Sequence, residues 1–262
     1  MEEVRGSSPL GPTIEIMQKT PPNLAYGFSK VSDGNMSFVY GDGPIVAKAR
    51  SDYLHKQGIA NQDAVFIKLE HGTKIHKVGE EDKGNLVDPG RQDEIIGDGL
   101  ITNQPGLTLF LVVADCIGAV IFDPISNSVG LIHAGRKGVE QNILKKAVDA
   151  MKTEYGAKPN DLILLTSPSI SAESYVFDEL KAIDMQFWGQ DVSRGKDGKY
   201  HMDIKSRFES QAIGIGIKKA NITISPTDTF TDINYFSHRR SMATGEPEGR
   251  FAVFAQIRPL SA

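Results

Sequence analysis

Three short apolar segments follow one another in the middle of the chain, and this pattern constrains the fold most. They cover residues 107–113, 117–122 and 128–133, and the turn Asp123-Pro124 separates the last two. Segments of this length are typical of buried β-strands. A membrane-spanning helix needs about 18 or more apolar residues in a row. The pattern therefore predicts three strands of a sheet that lies in the core of the protein.

Two amphipathic segments lie on either side of these strands in the sequence. Apolar residues recur at helical spacing from Ile45 to Gln57 and from Gly138 to Tyr155, and a glycine follows each segment. A glycine after a periodic run is typical of a helix end, so both segments are predicted helices. Weaker patterns predict helices at about 173–188 and from Asp203 to Ala212, an exposed loop at 79–94, and strands at 14–17, 25–28, 63–70, 161–166, 222–225 and 250–257.

Strands and helices are mixed along the chain without strict alternation, which favours an α+β fold over a doubly wound parallel sheet. No linker rich in proline and glycine divides the 262 residues. We therefore expect a single domain over residues 13–262, preceded by a flexible N-terminus over residues 1–12. Neither a dinucleotide-binding glycine motif nor a P-loop is present in the sequence.

Charge and cysteine content exclude several classes of function. The formal net charge of -4 offers no basic surface to a nucleic-acid partner. A single cysteine cannot form an internal disulfide, which favours a reducing compartment. The polar N-terminus lacks the apolar core of a signal peptide. We expect a cytoplasmic protein, monomeric or a small homo-oligomer, that binds a small molecule rather than nucleic acid or a membrane.

A thiol and two imidazoles lie near the ends of predicted strands. Cys116 follows Asp115 between two apolar segments, His133 ends the third central strand, and His71 ends the strand at 63–70. A charged residue inside an apolar stretch needs partners, so Asp115 suggests a turn at a sheet edge where the thiol is exposed. One thiolate and two imidazoles suit a catalytic metal with one open position. They equally suit a cysteine nucleophile with a histidine base.

A basic motif follows the last of these histidines. The segment His133-Ala-Gly-Arg136-Lys137-Gly138 stands immediately before the predicted helix. The free N–H groups of a helix N-terminus and two cationic side chains together favour an anion or phosphate site. An ordinary strand-to-helix turn with solvated basic residues explains the same pattern equally well.

These segments together resemble the YfiH/laccase-domain family, also described as multicopper polyphenol oxidases or YfiH-type purine nucleoside phosphorylases. The resemblance runs over most of the chain. The segments that carry it are Leu69-Glu70-His71-Gly72, Ala114-Asp115-Cys116, His133-Ala134-Gly135-Arg136-Lys137-Gly138, and the similar stretches Gly97–Thr102, Ser167–Ile170, Asn234–Arg240 and Gly249–Arg250.

The resemblance implies an α+β fold in which layered mixed β-sheets are flanked by helices. It also implies a catalytic zinc ion bound by His71, Cys116 and His133, and the same donors accept copper. The implied activity is on purine nucleosides: phosphorolysis of adenosine, inosine and methylthioadenosine, and deamination of adenosine.

Four further residues are predicted to bind the substrate. The phosphate of a phosphorolysis needs a cationic site, for which Arg50, Arg136 and Lys137 are the candidates. Asp98 is a candidate for orienting a ligand or moving a proton, and Asp115 is an alternative. The family resemblance places Trp and Arg where this chain has Arg136 and Lys137. Because lysine lacks the bidentate fork of arginine, the substitution predicts changed substrate preference or lowered activity.

Three alternatives stay open from the sequence. In the first, Cys116 is the nucleophile of a metal-free hydrolase or transferase, and His133 or His71 is its base. The second is a copper-binding polyphenol oxidase, which the family's older label suggests. A multicopper centre fits poorly, however, because six histidines supply too few ligands. The third is a metal- or nucleotide-binding protein without catalytic activity.

Overall fold

The structure, a computed structural model, describes residues 21–180 and 183–259. The flexible N-terminus predicted for residues 1–12 and the strand predicted at 14–17 lie outside the described residues. Among the described residues, no helix is both long enough and apolar enough to cross a membrane.

Strands outnumber α-helices in the described part of the chain. The strands are β1 (Leu24–Phe28), β2 (Ala64–Phe66), β3 (Lys68–Leu69), β4 (Ile75–Lys77), β5 (Ile96–Gly97), β6 (Gly99–Thr102), β7 (Thr108–Val113), β8 (Ile117–Asp123), β9 (Ser128–Ala134), β10 (Ile163–Thr166), β11 (Val176–Phe177), β12 (Val192–Arg194), β13 (Tyr200–Met202), β14 (Ile222–Thr223) and β15 (Phe251–Ile257). The α-helices are α1 (Gly43–Lys56), α2 (Arg136–Glu140), α3 (Ile143–Tyr155), α4 (Met185–Trp188), α5 (Ile204–Ile215) and α6 (His238–Thr244).

Two mixed sheets form the centre of the protein. The strand order is β1-β15-β7-β2 in the four-stranded sheet and β14-β10-β8-β9-β6-β4 in the six-stranded sheet. Most neighbours are antiparallel, whereas β2–β7, β4–β6 and β10–β14 are parallel pairs. Two small sheets, β11-β13-β12 and β3-β5, complete the described part of the chain.

Alternation of side chains along the strands builds the layers of the fold. In β7, Leu109 and Leu111 enter the core between the two large sheets, while Phe110 packs in the cluster that contains α1 residues. In β8, Val120 lies in the core between the sheets, while Ile121 packs with residues of α3 and α5. This is the period of two expected of strands buried on both faces. The layers therefore follow the order α1, four-stranded sheet, six-stranded sheet, then α3 with α5. The predicted α+β fold with layered mixed sheets flanked by helices is confirmed.

Several predicted elements are present with shifts of one to three residues at their ends. The three central strands form as β7, β8 and β9. Helix α1 begins after Asp42, whose side chain accepts a hydrogen bond from Ile45 N. Helix α5 begins after Asp203, as predicted, because that side chain accepts from Ser206 N.

The single helix predicted from Gly138 to Tyr155 is wrong. The segment forms the short helix α2 and the longer helix α3, which Gln141 and Asn142 separate. Asn142 has a left-handed backbone (φ 54°), and its side chain caps α3 by accepting from Lys145 N. Asparagine tolerates this conformation better than most residues. The basic residues of the motif therefore lie within a helix of five residues, and the long-helix N-terminus expected beside them lies further along the chain.

Two other local predictions are also corrected. The helix predicted at 173–188 is absent from the described residues of that segment, which form β11 and the short helix α4 instead. The loop at 79–94 is not wholly exposed, because Asn85 and Leu86 are buried. The Asn85 side chain exchanges hydrogen bonds with Phe66 N (2.7 Å) and Phe66 O (2.8 Å), so it binds the edge of β2 that no strand of the described residues pairs with.

Candidate active site

Cys116 lies in the turn between β7 and β8, where it is partly exposed. The residue before it, Asp115, has a left-handed backbone (φ 74°). Its carboxylate accepts hydrogen bonds from Thr229 Oγ1 and from Arg239 N, both at 2.7 Å. These partners satisfy the charge that the sequence places in an apolar stretch. The turn thus holds the thiol at the edge of the sheet instead of in the core.

His133 lies on the neighbouring strand, directly opposite Gly118 in the pairing of β8 with β9. Its side chain is buried, and its Nδ1 is 2.8 Å from Asp98 Oδ1. Because Nδ1 is used by this carboxylate, Nε2 is the ring nitrogen left for chemistry. A Cβ atom built on Gly135 would stand 2.9 Å from Cys116 Sγ and 3.4 Å from His133 Nε2. The sulfur and this nitrogen therefore border the same small space, which a side chain at position 135 would fill.

Asp98 also holds the second histidine. His71 follows β3 with a left-handed backbone (φ 60°), and its N–H donates to Asp98 Oδ1 (3.0 Å) while Gly72 N–H donates to Asp98 Oδ2 (2.6 Å). The ring of His71 meets that of His133 edge to face, with centroids 4.9 Å apart. One buried carboxylate therefore joins the ring of His133 to the backbone of His71, and the structure brings His71, Cys116 and His133 together.

His71, Cys116 and His133 are residue types that bind metals, although their donor atoms do not converge on one point in this structure. Two imidazoles and a thiolate suit zinc or copper, and a carboxylate on the far nitrogen of a ligating histidine is a common supporting contact. Within residues 21–180 and 183–259, no three His, Cys, Asp or Glu side chains already stand where they would hold a metal ion. His71 is exposed, whereas His133 is fixed in a strand. The ring of the exposed residue His71 therefore has more freedom to move than the buried ring of His133.

The two histidines differ in their tendency to be charged. Although the residue as a whole is exposed, partial burial of its ring lowers the pKa of His71, and the positive charges of His133, Lys137 and Arg250 lower it further. Burial also acts to lower the pKa of His133, but Cys116 and Asp98 outweigh it and raise that pKa to about 9. Burial would raise the pKa of Asp98, but its hydrogen bonds from the histidine segment hold it below the usual value. The site thus offers one neutral imidazole and one proton-holding imidazole near neutral pH.

Cationic side chains surround these three residues. Lys137 is exposed, and Arg250 stacks on Tyr40 with its guanidinium carbon 4.3 Å from the ring centroid. Arg136 pairs with Glu140 (2.8 Å), whose carboxylate also accepts from the buried Trp188 Nε1 (2.8 Å). The predicted substrate residues Arg136 and Lys137 therefore lie beside the site.

Arg50, by contrast, does not lie at the site. It is 1% exposed in the core between α1 and the four-stranded sheet. Its guanidinium donates to Met36 O, Leu86 O and Gln92 Oε1 at 2.7–2.8 Å and lies 4.3 Å from the centroids of two phenylalanine rings. Burial lowers its pKa to about 9, so it remains a cation at neutral pH. The prediction that Arg50 binds phosphate is corrected to a structural role.

The position of Asp98 agrees with one of its predicted roles, orienting a ligand, and not with binding of the substrate. It is fully buried behind the histidines, so it positions them and is not placed to touch a substrate. Sequence reasoning assigned no role to Arg239, Arg250 or Tyr175, which the structure brings near the site. Both arginines lie in segments that carried the family resemblance, and that resemblance could have identified them as site residues. Tyr175 gave no such signal, because its segment reads as a helix.

This chain is similar to a known family of proteins. Residues 25–258 match a family model described as multi-copper polyphenol oxidoreductase laccase. The purine nucleoside phosphorylase YlmD of Bacillus subtilis is 28% identical over 184 residues, which are 68% of this chain and 66% of that protein. A purine nucleoside phosphorylase of Corynebacterium glutamicum is 28% identical over 218 residues, which are 82% of this chain and 85% of that protein.

Solved structures show the same fold. The crystal structure of YlmD from Geobacillus stearothermophilus superposes with a TM-score of 0.81 at 25% identity, covering 91% of this chain and 93% of that one. The crystal structure of the Bacillus licheniformis hypothetical protein YfiH gives a TM-score of 0.78 at 25% identity, covering 90% of this chain and 93% of that one.

Proposed function

Because this chain belongs to the multi-copper polyphenol oxidoreductase laccase family and its relatives are named purine nucleoside phosphorylases, we propose that it is a metal-dependent enzyme of purine nucleosides. The observation that carries the proposal is the carboxylate of Asp98, which binds the backbone of His71 and the ring of His133 beside the partly exposed Cys116. Cationic side chains beside this site can bind an anionic co-substrate. An enzyme with a free thiol in its site suits a reducing compartment, and we expect it in the cytoplasm.

Zinc is the proposed metal, with His71, Cys116 and His133 as its ligands. When bound, zinc would supply Lewis-acid chemistry, since it activates water near neutral pH and polarises oxygen atoms of a substrate. Copper is accepted by the same donors.

Phosphorolysis is the first proposed reaction, on adenosine, inosine or methylthioadenosine. A phosphate oxygen forms a bond to C1′ of the ribose as the C1′–N9 bond breaks. The electron pair of that bond leaves with the purine, which then takes up a proton, so the products are the free base and the sugar 1-phosphate. From the basic motif, Lys137 is the candidate to hold the phosphate and offset its charge, because Arg136 already pairs with Glu140.

Deamination of adenosine is the second proposed reaction. The oxygen of water bonds to C6 of the purine, and the amino group leaves as ammonia after taking up a proton. This reaction needs no phosphate, so the two activities are separable in one assay.

The decisive experiment combines metal analysis with a panel of nucleosides. We expect purified protein to contain about one zinc ion per chain, as catalytic three-ligand sites do. Free base should form from adenosine, inosine or methylthioadenosine only when phosphate is added, whereas inosine should form from adenosine without phosphate. Liquid chromatography of the products measures both. Metal-loaded protein that converts none of these nucleosides would end the proposal, and copper in place of zinc would correct the metal.

A metal-free cysteine hydrolase is the second candidate, and one observation favours it. Asp98, His133 and Cys116 are arranged as an acid, a base and a nucleophile, since Asp98 holds Nδ1 and Nε2 shares a space with the sulfur. Alkylation by iodoacetamide before and after chelation separates the two candidates. Rapid labelling with activity retained under the chelator supports the hydrolase. Activity that disappears with the metal supports the metalloenzyme.

Asp98→Asn is expected to weaken zinc binding by about 10- to 100-fold, the usual effect of losing a carboxylate behind a ligating histidine. The amide keeps the shape of the carboxylate but offers only one accepting oxygen. It cannot serve His133 Nδ1 and the N–H groups of His71 and Gly72 together. Competition with a chromogenic chelator measures the affinity directly.

The matched control for this variant is Asp93→Asn. That carboxylate is exposed and pairs with Lys68, so its zinc affinity should equal that of the wild type. Equal affinity in Asp98→Asn as well would contradict the positioning role of Asp98.

A further inference from the structure

We propose that Arg239 binds the phosphate in the phosphorolysis proposed above, so this inference rests on the proposed function. Its ligand class is a dianionic phosphate. The residue occupies the role that the buried Arg50 does not fill.

The backbone of Arg239 is tied to the turn that carries the thiol. Its N–H donates to Asp115 Oδ2 at 2.7 Å, and Asp115 is the residue directly before Cys116. The other oxygen of the same carboxylate accepts from Thr229 Oγ1 at 2.7 Å. This fixed carboxylate therefore sets where the arginine side chain begins, close to the thiol.

The guanidinium of Arg239 is held in a way that leaves most of its donors unused. Its Nη1 donates to Val176 O at 2.6 Å, and its guanidinium carbon lies 5.2 Å from the ring centroid of Tyr175 and 5.3 Å from that of Phe177. Among the described residues, no carboxylate pairs with this guanidinium, and neither Nε nor Nη2 has a hydrogen-bond partner. Stacking on the two rings thus fixes the guanidinium, and its Nε–H and Nη2–H groups can donate hydrogen bonds to an oxyanion.

The other arginines near the site are already neutralised. Arg136 pairs with Glu140, Arg240 with Glu246 and Arg250 with Glu248. A guanidinium that pairs with a carboxylate has fewer donors for a phosphate, and its charge is offset. Arg239 is therefore the arginine of this group best suited to a dianion.

The electrostatics of Tyr175 agree with this placement. Burial raises the pKa of Tyr175 to about 12, and the charge of Cys116 raises it as well, while Arg136 and Arg239 act in the opposite direction. The phenol thus stays neutral beside the arginine, so it does not compete with a phosphate for the guanidinium. The same interactions show that Arg239 and Cys116 both act on the partly buried ring of Tyr175.

The experiment uses Arg239→Lys and Arg239→Ala in the full chain with its metal. Lysine keeps the charge but loses the bidentate geometry of the guanidinium and its stacking on the rings. The lysine variant is used if the alanine variant does not fold. Isothermal titration with inorganic phosphate gives Kd, and steady-state kinetics give KM for phosphate and for the nucleoside. We expect both phosphate constants to rise by about 10- to 100-fold, the value of one or two charge-assisted hydrogen bonds. The KM of the nucleoside should move far less.

The matched control is Arg194→Lys. Arg194 also stacks on a tyrosine, Tyr200 at 5.7 Å, and also bonds one backbone carbonyl, Gly198 O at 3.2 Å. It lies in β12, and its constants should stay within about twofold of the wild type.

Three results overturn the proposal. The first is a Kd and KM for phosphate within about twofold of the wild type in both folded variants. The second is a KM of the nucleoside that rises as much as the KM of phosphate, and the third is a wild-type protein that does not bind phosphate. Failure of the proposed function is distinguishable. In that case the wild type converts no nucleoside, yet titration with phosphate still compares it with Arg239→Lys.

Discussion

Replacing Cys116 with serine is expected to lower kcat/KM on nucleosides by at least about a thousandfold, whether the thiolate is a metal ligand or a nucleophile. A serine hydroxyl is a poor zinc ligand at neutral pH, so the zinc content should fall in parallel. Cys116 is only partly buried in a turn, and serine is nearly isosteric, so the fold should persist. Zinc analysis, product chromatography and circular dichroism on the same sample measure the three effects.

The control for this variant is His76→Gln. His76 is a histidine outside the site, in β4, where its ring Nε2 lies 2.8 Å from Ile96 O. It should keep both zinc and activity. A Cys116→Ser protein that keeps full activity would contradict both interpretations of the site, while one that keeps zinc and loses activity would favour the nucleophile.

Arg50→Met is expected to lower the free energy of unfolding by about 3–5 kcal/mol, because it leaves buried carbonyl groups without donors. Methionine retains the length and apolar contacts of the side chain, so the loss isolates the guanidinium. The groups left unpaired are Met36 O, Leu86 O and Gln92 Oε1. The flanking rings of Phe38 and Phe66 also lose their cationic partner. Urea unfolding followed by circular dichroism measures the change.

Lys48→Met on the same helix is the control for Arg50→Met. Lys48 is exposed and pairs only with Asp52 among the described residues, so its replacement should change stability by no more than about 0.5 kcal/mol. A loss below about 1 kcal/mol for Arg50→Met would contradict the structural role assigned to Arg50.

The parts of the fold that sequence predicts well are those that local pattern determines. The runs that became β7, β8 and β9 are apolar and of strand length, and two glycine-terminated periodic runs became helical. The family resemblance was confirmed by the match over residues 25–258. The division between α2 and α3 escaped prediction, because it depends on the single left-handed residue Asn142 inside a well-formed periodic pattern.

Sequence also predicted that some residues of the candidate site lie together, and it misplaced others. Residue type and position near strand ends identified His71, Cys116 and His133 as a group, which the structure brings together. Arg50 was misassigned because the sequence of a helix does not show what covers its faces. The rings and carbonyls that bury it come from distant segments. Asp98 was predicted as a candidate for orienting a ligand, but its partner was not, because His133 lies 35 positions away in the chain.

The hydrogen bonds of the Asp98 carboxylate divide the site into two groups of residues. The first group is His71, Gly72 and His133, which these bonds hold, and the second is Arg136, Lys137 and Arg239 around them. Among the described residues, the hydrogen bonds of this carboxylate reach only the first group, and none reaches the second. We therefore expect substitutions of Arg136, Lys137 or Arg239 to leave these hydrogen bonds intact and to change substrate preference more than the positions of His71 and His133. An enzyme built in this way can acquire a new specificity by exchanging a few exposed cations, while its reactive centre is inherited unchanged.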